Sequence, residues 1–197
     1  VLVVHPAVPA RNVPEFIAHA KQPGANLAYA SSGNGQSTHL AAELFKSMTG
    51  VAMVHVPYKG SAPALVDVAG GQVAAMFDTM LSAMPQVKAG RLRALAVTSD
   101  RRSGAAPELP TVAESGVPGY EATAWNGLLA PAGTPRDIVD ELNRTINQIL
   151  AQPDVLQRLA ADGADPGSGS VADFESFIRA ELEKWAKVVK SSGAVMN

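Results

Sequence analysis

Cysteine is absent from the 197 residues, which excludes disulfides and thiolate metal sites. Charge is sparse: 17% of residues are Asp, Glu, Lys or Arg, the formal net charge is −2, and no Lys/Arg block occurs. Phosphate binding needs a clustered basic face, so nucleic acid is not an expected partner. No apolar run approaches the roughly 18–20 residues of a membrane-spanning helix, so no direct membrane insertion is expected. Internal repeats and low-complexity tracts are missing too. What remains is 47% hydrophobic, an ordinary globular composition with enough chain for one sizeable domain or two small lobes.

Apolar periodicity divides the chain into alternating strands and helices. Strands are predicted at Val1–Val4, Asn26–Ala30, Val51–Val56, Val73–Phe77 and Leu92–Val97. Between them, helices are predicted over Pro14–Ala20, around Leu40–Met48, over Ser61–Asp67 and from Asp78-Thr79 to Lys88. Strands spaced by helices of about 10–15 residues imply an α/β fold with a mostly parallel sheet covered on both faces. Residues 99–120 are rich in Pro, Gly and charge, with a brief helical turn at Leu109–Glu114, and 122–130 returns to extended character. Thr134 is the natural N-cap and Pro135 the first residue of a helix whose stripe is Ile138, Leu142, Ile146 and Ile149. Shorter and longer helices follow at Val155–Ala161 and around Phe174–Val189.

The strongest chemical signal is the strand–loop–helix Ser31-Ser32-Gly33-Asn34-Gly35-Gln36-Ser37-Thr38. A helix N-terminus presents unpaired N–H groups and partial positive charge, and glycines let that backbone approach an anion. The same residues also suit a plain turn capped by Ser37. Two further polar loops end predicted strands, Pro57-Tyr58-Lys59-Gly60-Ser61 and Phe77-Asp78-Thr79. Open α/β sheets bind ligands outside the carboxyl ends of their strands, so the three loops are expected on one rim. Asp78 suits an N-cap and a ligand contact equally, Ser61 suits a cap, and Lys59 a solvated chain.

Catalytic patterns are lacking. No Gly-x-Ser-x-Gly, Walker or dinucleotide fingerprint surrounds the loop, and His5, His19, His39 and His55 have no metal spacing. His39 and His55 read as packing or surface residues, Trp125 and Trp185 as core, and Glu181 and Glu183 near Lys184 and Lys187 as solvated helix pairing. No metal or cofactor is expected.

Several long runs resemble the Bug-type receptors, the solute-binding proteins of tripartite tricarboxylate transporters. They are Tyr29–Gly35, His55–Ala64, Gly90–Thr98, Pro110–Tyr120 and Gly127–Pro135, in order along the chain. The resemblance implies a periplasmic-binding-protein-like fold of two lobes that close on a small mono- or dicarboxylate, amino acid or aromatic acid. It implies a periplasmic receptor rather than an enzyme, with membrane transporter subunits as partners. Ser31, Ser32, Gly33, Asn34, Gly35, Ser37, Thr38, Gly60 and Asp78 are the ligand-binding candidates, with Asp78 facing the cleft. On this reading 1–6 is a crossing strand, 7–121 a complete second lobe, 122–133 the return crossing strand, and 134–197 helices belonging in part to a first lobe largely missing. A fragment is therefore expected, with some tendency to self-associate. A small α/β enzyme using Asp78 as a base, or a sensor subunit with the same pocket, are the alternatives.

Overall fold

A computed structural model describes residues 1–192; the end of the segment 134–197, residues 193–197, lies outside the described residues. Five strands, β1 (Leu2–Val4), β2 (Ala28–Ser31), β3 (Val54–Pro57), β4 (Ala75–Phe77) and β5 (Arg93–Ala96), form one sheet in the order β3-β2-β4-β1-β5. β2 runs parallel to β3 and β4, whereas β1 is antiparallel to both β4 and β5. The sheet is thus four strands in one direction with a single reversed strand, the mostly parallel α/β arrangement the periodicity implies.

Side chains alternate across this sheet and build a core on each face. Leu2, Val4, Tyr29, Ala75 and Phe77 point into one core, with Phe16 and Phe45 from α1 (Val13–Ala20) and α2 (Ser37–Thr49). Val3, Ala30 and Met76 point into the other, with Leu65 and Val68 from α3 (Ser61–Ala69) and Ala83 from α4 (Met80–Lys88). Burying each large side chain contributes about 1.5–3 kcal/mol, so two such layers account for the rigidity of the sheet. The strands are shorter than predicted. Val51, Met53 and Val73 are buried ahead of β3 and β4, so they look strand-like in sequence without joining a ladder.

Several helix starts differ from expectation. The Asn12 side chain caps α1, accepting from the Glu15 amide, while Glu15 reaches back to the Arg11 amide. Gln36 stands at the N-cap of α2 with no side-chain bond, so Ser37 is helical rather than a cap. Gly60 precedes α3, which makes Ser61 its first residue and frees its hydroxyl for another partner. Thr79, not Asp78, caps α4 by accepting from the Ser82 amide.

Beyond residue 122 the chain changes character. Residues 122–133 make no strand; no ladder partner is offered to them among the described residues. Trp125, expected in a core, is 42% exposed. The Thr134 hydroxyl donates to the Pro131 carbonyl, so α5 (Arg136–Leu150) starts after Pro135. α5 and α6 (Pro153–Ala161) bury no residue, and Ile138, Leu142 and Ile149 lie exposed. α7 (Val171–Ser192) returns to pack on α2. No helix among the described residues is long and apolar enough to cross a membrane.

Candidate functional site

The parallel strands β2, β3 and β4 end together, and their following loops are tied to each other by hydrogen bonds. Register pairs Ser31 with Pro57 and Ala30 with Met76, which brings residues 32, 58 and 78 to one edge. The Tyr58 amide donates to the Ser31 carbonyl at 3.0 Å and the Gly60 amide to the Ser32 carbonyl at 2.9 Å. Ser61 Oγ donates to Asp78 Oδ1 at 2.8 Å. All nine candidate residues therefore belong to one knot of three loops, although several serve that knot rather than face solvent.

Within the Ser31–Thr38 loop the internal bonds are specific. Ser31, fully buried, lies 2.6 Å through Oγ from His55 Nε2 and accepts from the Gly33 amide. Thr38 Oγ1 accepts from the Ser32 amide and bonds the Ser32 hydroxyl, both at 2.8 Å. The Gly35 amide donates to His39 Nδ1 at 3.1 Å. Gly35 sits at φ +73°, the left-handed region that a residue with a Cβ enters only with strain. What faces outward is the tip at 33–37, with Asn34, Gln36 and Ser37 exposed. The first helical bonds of α2 are donated by His39 and Leu40 to the Gln36 carbonyl, so the amides of Ser37 and Thr38 lie ahead of the ladder, Ser37 exposed and Thr38 buried just behind it.

Electrostatics sets this rim apart. α2, α3 and α4, the helices that begin there, carry no acidic residue in their first turns. The four helices that begin elsewhere each carry one, Glu15, Asp137, Asp154 and Asp173. Negative side chains normally complement the positive end of a helix dipole. Asp78 stands between the starts of α3 and α4, whereas the start of α2 has no carboxylate in its first turn and leaves its partial positive charge available to an external anion.

Asp78 is the carboxylate within this knot. It is 6% exposed, Oδ1 accepts from Ser61, and Oδ2 is buried without a hydrogen-bond partner. Burial pushes its carboxyl above the usual range, against the lowering effect of the Ser61 and Thr79 hydrogen bonds. A buried, half-satisfied carboxyl oxygen is suited to a hydroxyl or ammonium donor.

Sequence reasoning missed the layer beneath the loop. His39 and His55 stack at 3.8 Å with 4° between their planes, beside the buried Tyr29 ring. They are packing residues, as their positions suggested, but each also holds a loop atom. The only available signal was their placement at the loop's two flanks, three residues into α2 and on the neighbouring strand. No cluster of metal-ligating side chains occurs among the described residues. A cavity of about 310 Å³ lies away from the rim, lined by Pro6, Val87, Leu92, Arg93 and Leu109, among others.

With this geometry in view, the similarity to known proteins becomes informative. The model of the tripartite tricarboxylate transporter family receptor matches residues 1–194. The chain belongs to that receptor family. Among relatives of the receptor, protein BugT of Bordetella pertussis is 40% identical over 194 residues, covering 98% of this chain and 60% of its own length. A solved structure of Rpa4515 from R. palustris with adipate superposes with a TM-score of 0.85 at 42% identity, covering 98% of this chain and 65% of that one. MatC from Rhodopseudomonas palustris with bound malate gives 0.79 at 31% identity, covering 95% and 65%. The chain thus spans 56–60% of the length of the first relatives it matches. The sheet described above is a periplasmic-binding-protein-like fold, as the resemblance implied.

Proposed function

We propose that this chain supplies a carboxylate-binding face of a periplasmic receptor, which captures a small carboxylate and presents it to the membrane subunits of a tripartite tricarboxylate transporter. The observation that carries this reading is the rim itself. Three adjacent helix N-termini free of first-turn acids meet there, and one of them opens with the unladdered amides of Ser37 and Thr38. A carboxylate accepts from those amides, with Ser32, Gly33, Asn34 and Gly35 shaping the tip and Ser31, Thr38 and Gly60 holding its form. Asp78, buried and bonded to Ser61, backs the cradle from behind and reaches a ligand only if the knot opens around Oδ2. The adipate and malate in the two related structures are small dicarboxylates, which supports the substrate class.

A binding role also agrees with what surrounds Asp78. Its side chain accepts from a serine hydroxyl, and no histidine, lysine or second carboxylate is bonded to it among the described residues. The work of such a receptor is a shift between open and closed states, biased by the ligand's differential affinity.

The test is calorimetry with adipate and malate on the native chain and on Gly35→Val combined with Ser37→Ala. The reading expects saturable binding that weakens about tenfold or more in the double variant, a loss of roughly 1.4 kcal/mol or greater. Equal affinity in both proteins refutes the cradle.

A further inference from the structure

The loop's shape depends on atoms that titrate. Gly35 N–H donates to His39 Nδ1, so that nitrogen carries the lone pair and the neutral ring keeps its proton on Nε2, which faces Glu43 Oε1 at 3.9 Å. A proton added to His39 must go to Nδ1. There it meets the Gly35 N–H, donor against donor, and the bond that anchors the loop tip is lost. His55 is coupled to the same event. Its Nε2 lies 2.6 Å from Ser31 Oγ, the atom that also accepts from the Gly33 amide, and its ring is stacked 3.8 Å from His39. Two cations cannot share that stack without strong repulsion.

The groups facing the pair are few. Tyr29 from β2 stacks on His55 at 5.0 Å and donates to Glu43. Glu43 and Lys46, both on α2 and bonded to each other at 2.6 Å, are the charges that act on the rings; α7, which packs on α2, contributes none among the described residues. Burial holds both imidazoles below their ordinary value, that of His55 at about 4, with Lys46 acting in the same direction on each ring and Glu43 opposing.

We propose that His39 and His55 are positioning residues for the carboxylate cradle, and that the neutral stacked pair latches the 31–38 loop while protonation releases it. The sign follows from linkage. The closed loop binds protons less readily than an opened one, so acid favours opening as pH falls from about 6.5 towards about 4. The latch is a property of the free chain, while its consequence for ligand rests on the proposed function.

Amide exchange and imidazole titration by NMR on the ligand-free chain, from pH 8 to 4, separate the two. Gly35 and Gly33 should lose about tenfold in protection, after correction for intrinsic exchange, with a midpoint that tracks the His39 and His55 rings. His39→Gln, whose amide oxygen accepts without titrating, should flatten that dependence, whereas His39→Leu should remove protection already at pH 7. Adipate affinity should fall over the same pH range. Constant protection at Gly35 while His39 titrates, or no imidazole titration before global unfolding, overturns the latch. Loop release without adipate binding at any pH leaves the latch standing and fails the receptor reading instead.

Discussion

The first 122 residues and the rest of the chain obey the same periodic rules yet end in opposite states. Up to Ala122 every strand and helix finds a partner, and among the described residues all but one of the buried apolar residues lie there. After it, α5 leaves much of a regular apolar stripe exposed, and among the described residues Val188 is the single buried apolar residue. The difference teaches that amphipathic spacing reports a helix's need for cover, not whether cover is present. It also separates two kinds of stability, a sheet with two cores and a tail that docks chiefly through α7 on α2.

The largest break in that comparison is expected at Phe45. Its ring is fully buried against Phe16, Phe77 and Tyr120. Phe45→Ala should destabilise the chain by about 3–5 kcal/mol in denaturant titration. Leu142→Ala, on the exposed stripe, should change it by less than about 0.5 kcal/mol. Comparable losses would mean the tail folds as part of the same core.

Next comes the docking point. Glu181 accepts from Trp185 at 2.8 Å, from Trp125 at 3.3 Å, and from Lys184, which also holds Glu121 at 2.6 Å. Glu181→Ala should weaken the docking of α7 by about 2–3 kcal/mol, because two indole N–H groups lose a charged acceptor. Tryptophan emission should shift to the red. Burial acts to raise the Glu181 carboxyl, but Lys184 and the indoles outweigh it and hold it below its ordinary value of 4.5. Its contribution is therefore complete above about 4.5 and disappears as pH falls through the lowered value. A fluorescence change in that acid range, absent from Glu181→Ala, checks the sign.

A smaller effect belongs to the rim. Asp78→Asn keeps the acceptor for Ser61 and removes a buried charge, so it should stabilise the chain at pH 7 by up to about 1 kcal/mol. Because the native carboxyl is raised, the native chain should regain stability relative to the variant as pH falls towards the ordinary value of 3.8. The weakest expected effect is self-association through the uncovered stripe and the exposed Leu128 and Leu129. Sedimentation velocity should show it growing with concentration and declining in Leu142→Ser.

Legibility in the sequence followed range of interaction. The alternation of strands with helices and the polar loops that follow β2, β3 and β4 are local signals, and they survive in the structure. Glu181 was misread because its i+3 neighbour Lys184 suggests a solvated pair, whereas Trp125, far upstream, closes over it. Asp78 and Ser61 each suggested a cap, yet they spend their side chains on one another across 17 residues. The His39–His55 stack needs the register of β2 on β3 before it can be seen at all.

The central claim is that the main-chain amides at the start of α2 receive a carboxylate. Amide-resolved NMR titration with malate or adipate tests it most directly, and it registers weak binding. The account predicts shifts concentrated at 32–38, extending to Gly60, Ser61 and Asp78. Shifts centred instead on Leu92, Arg93 and Leu109, around the separate cavity, would contradict it.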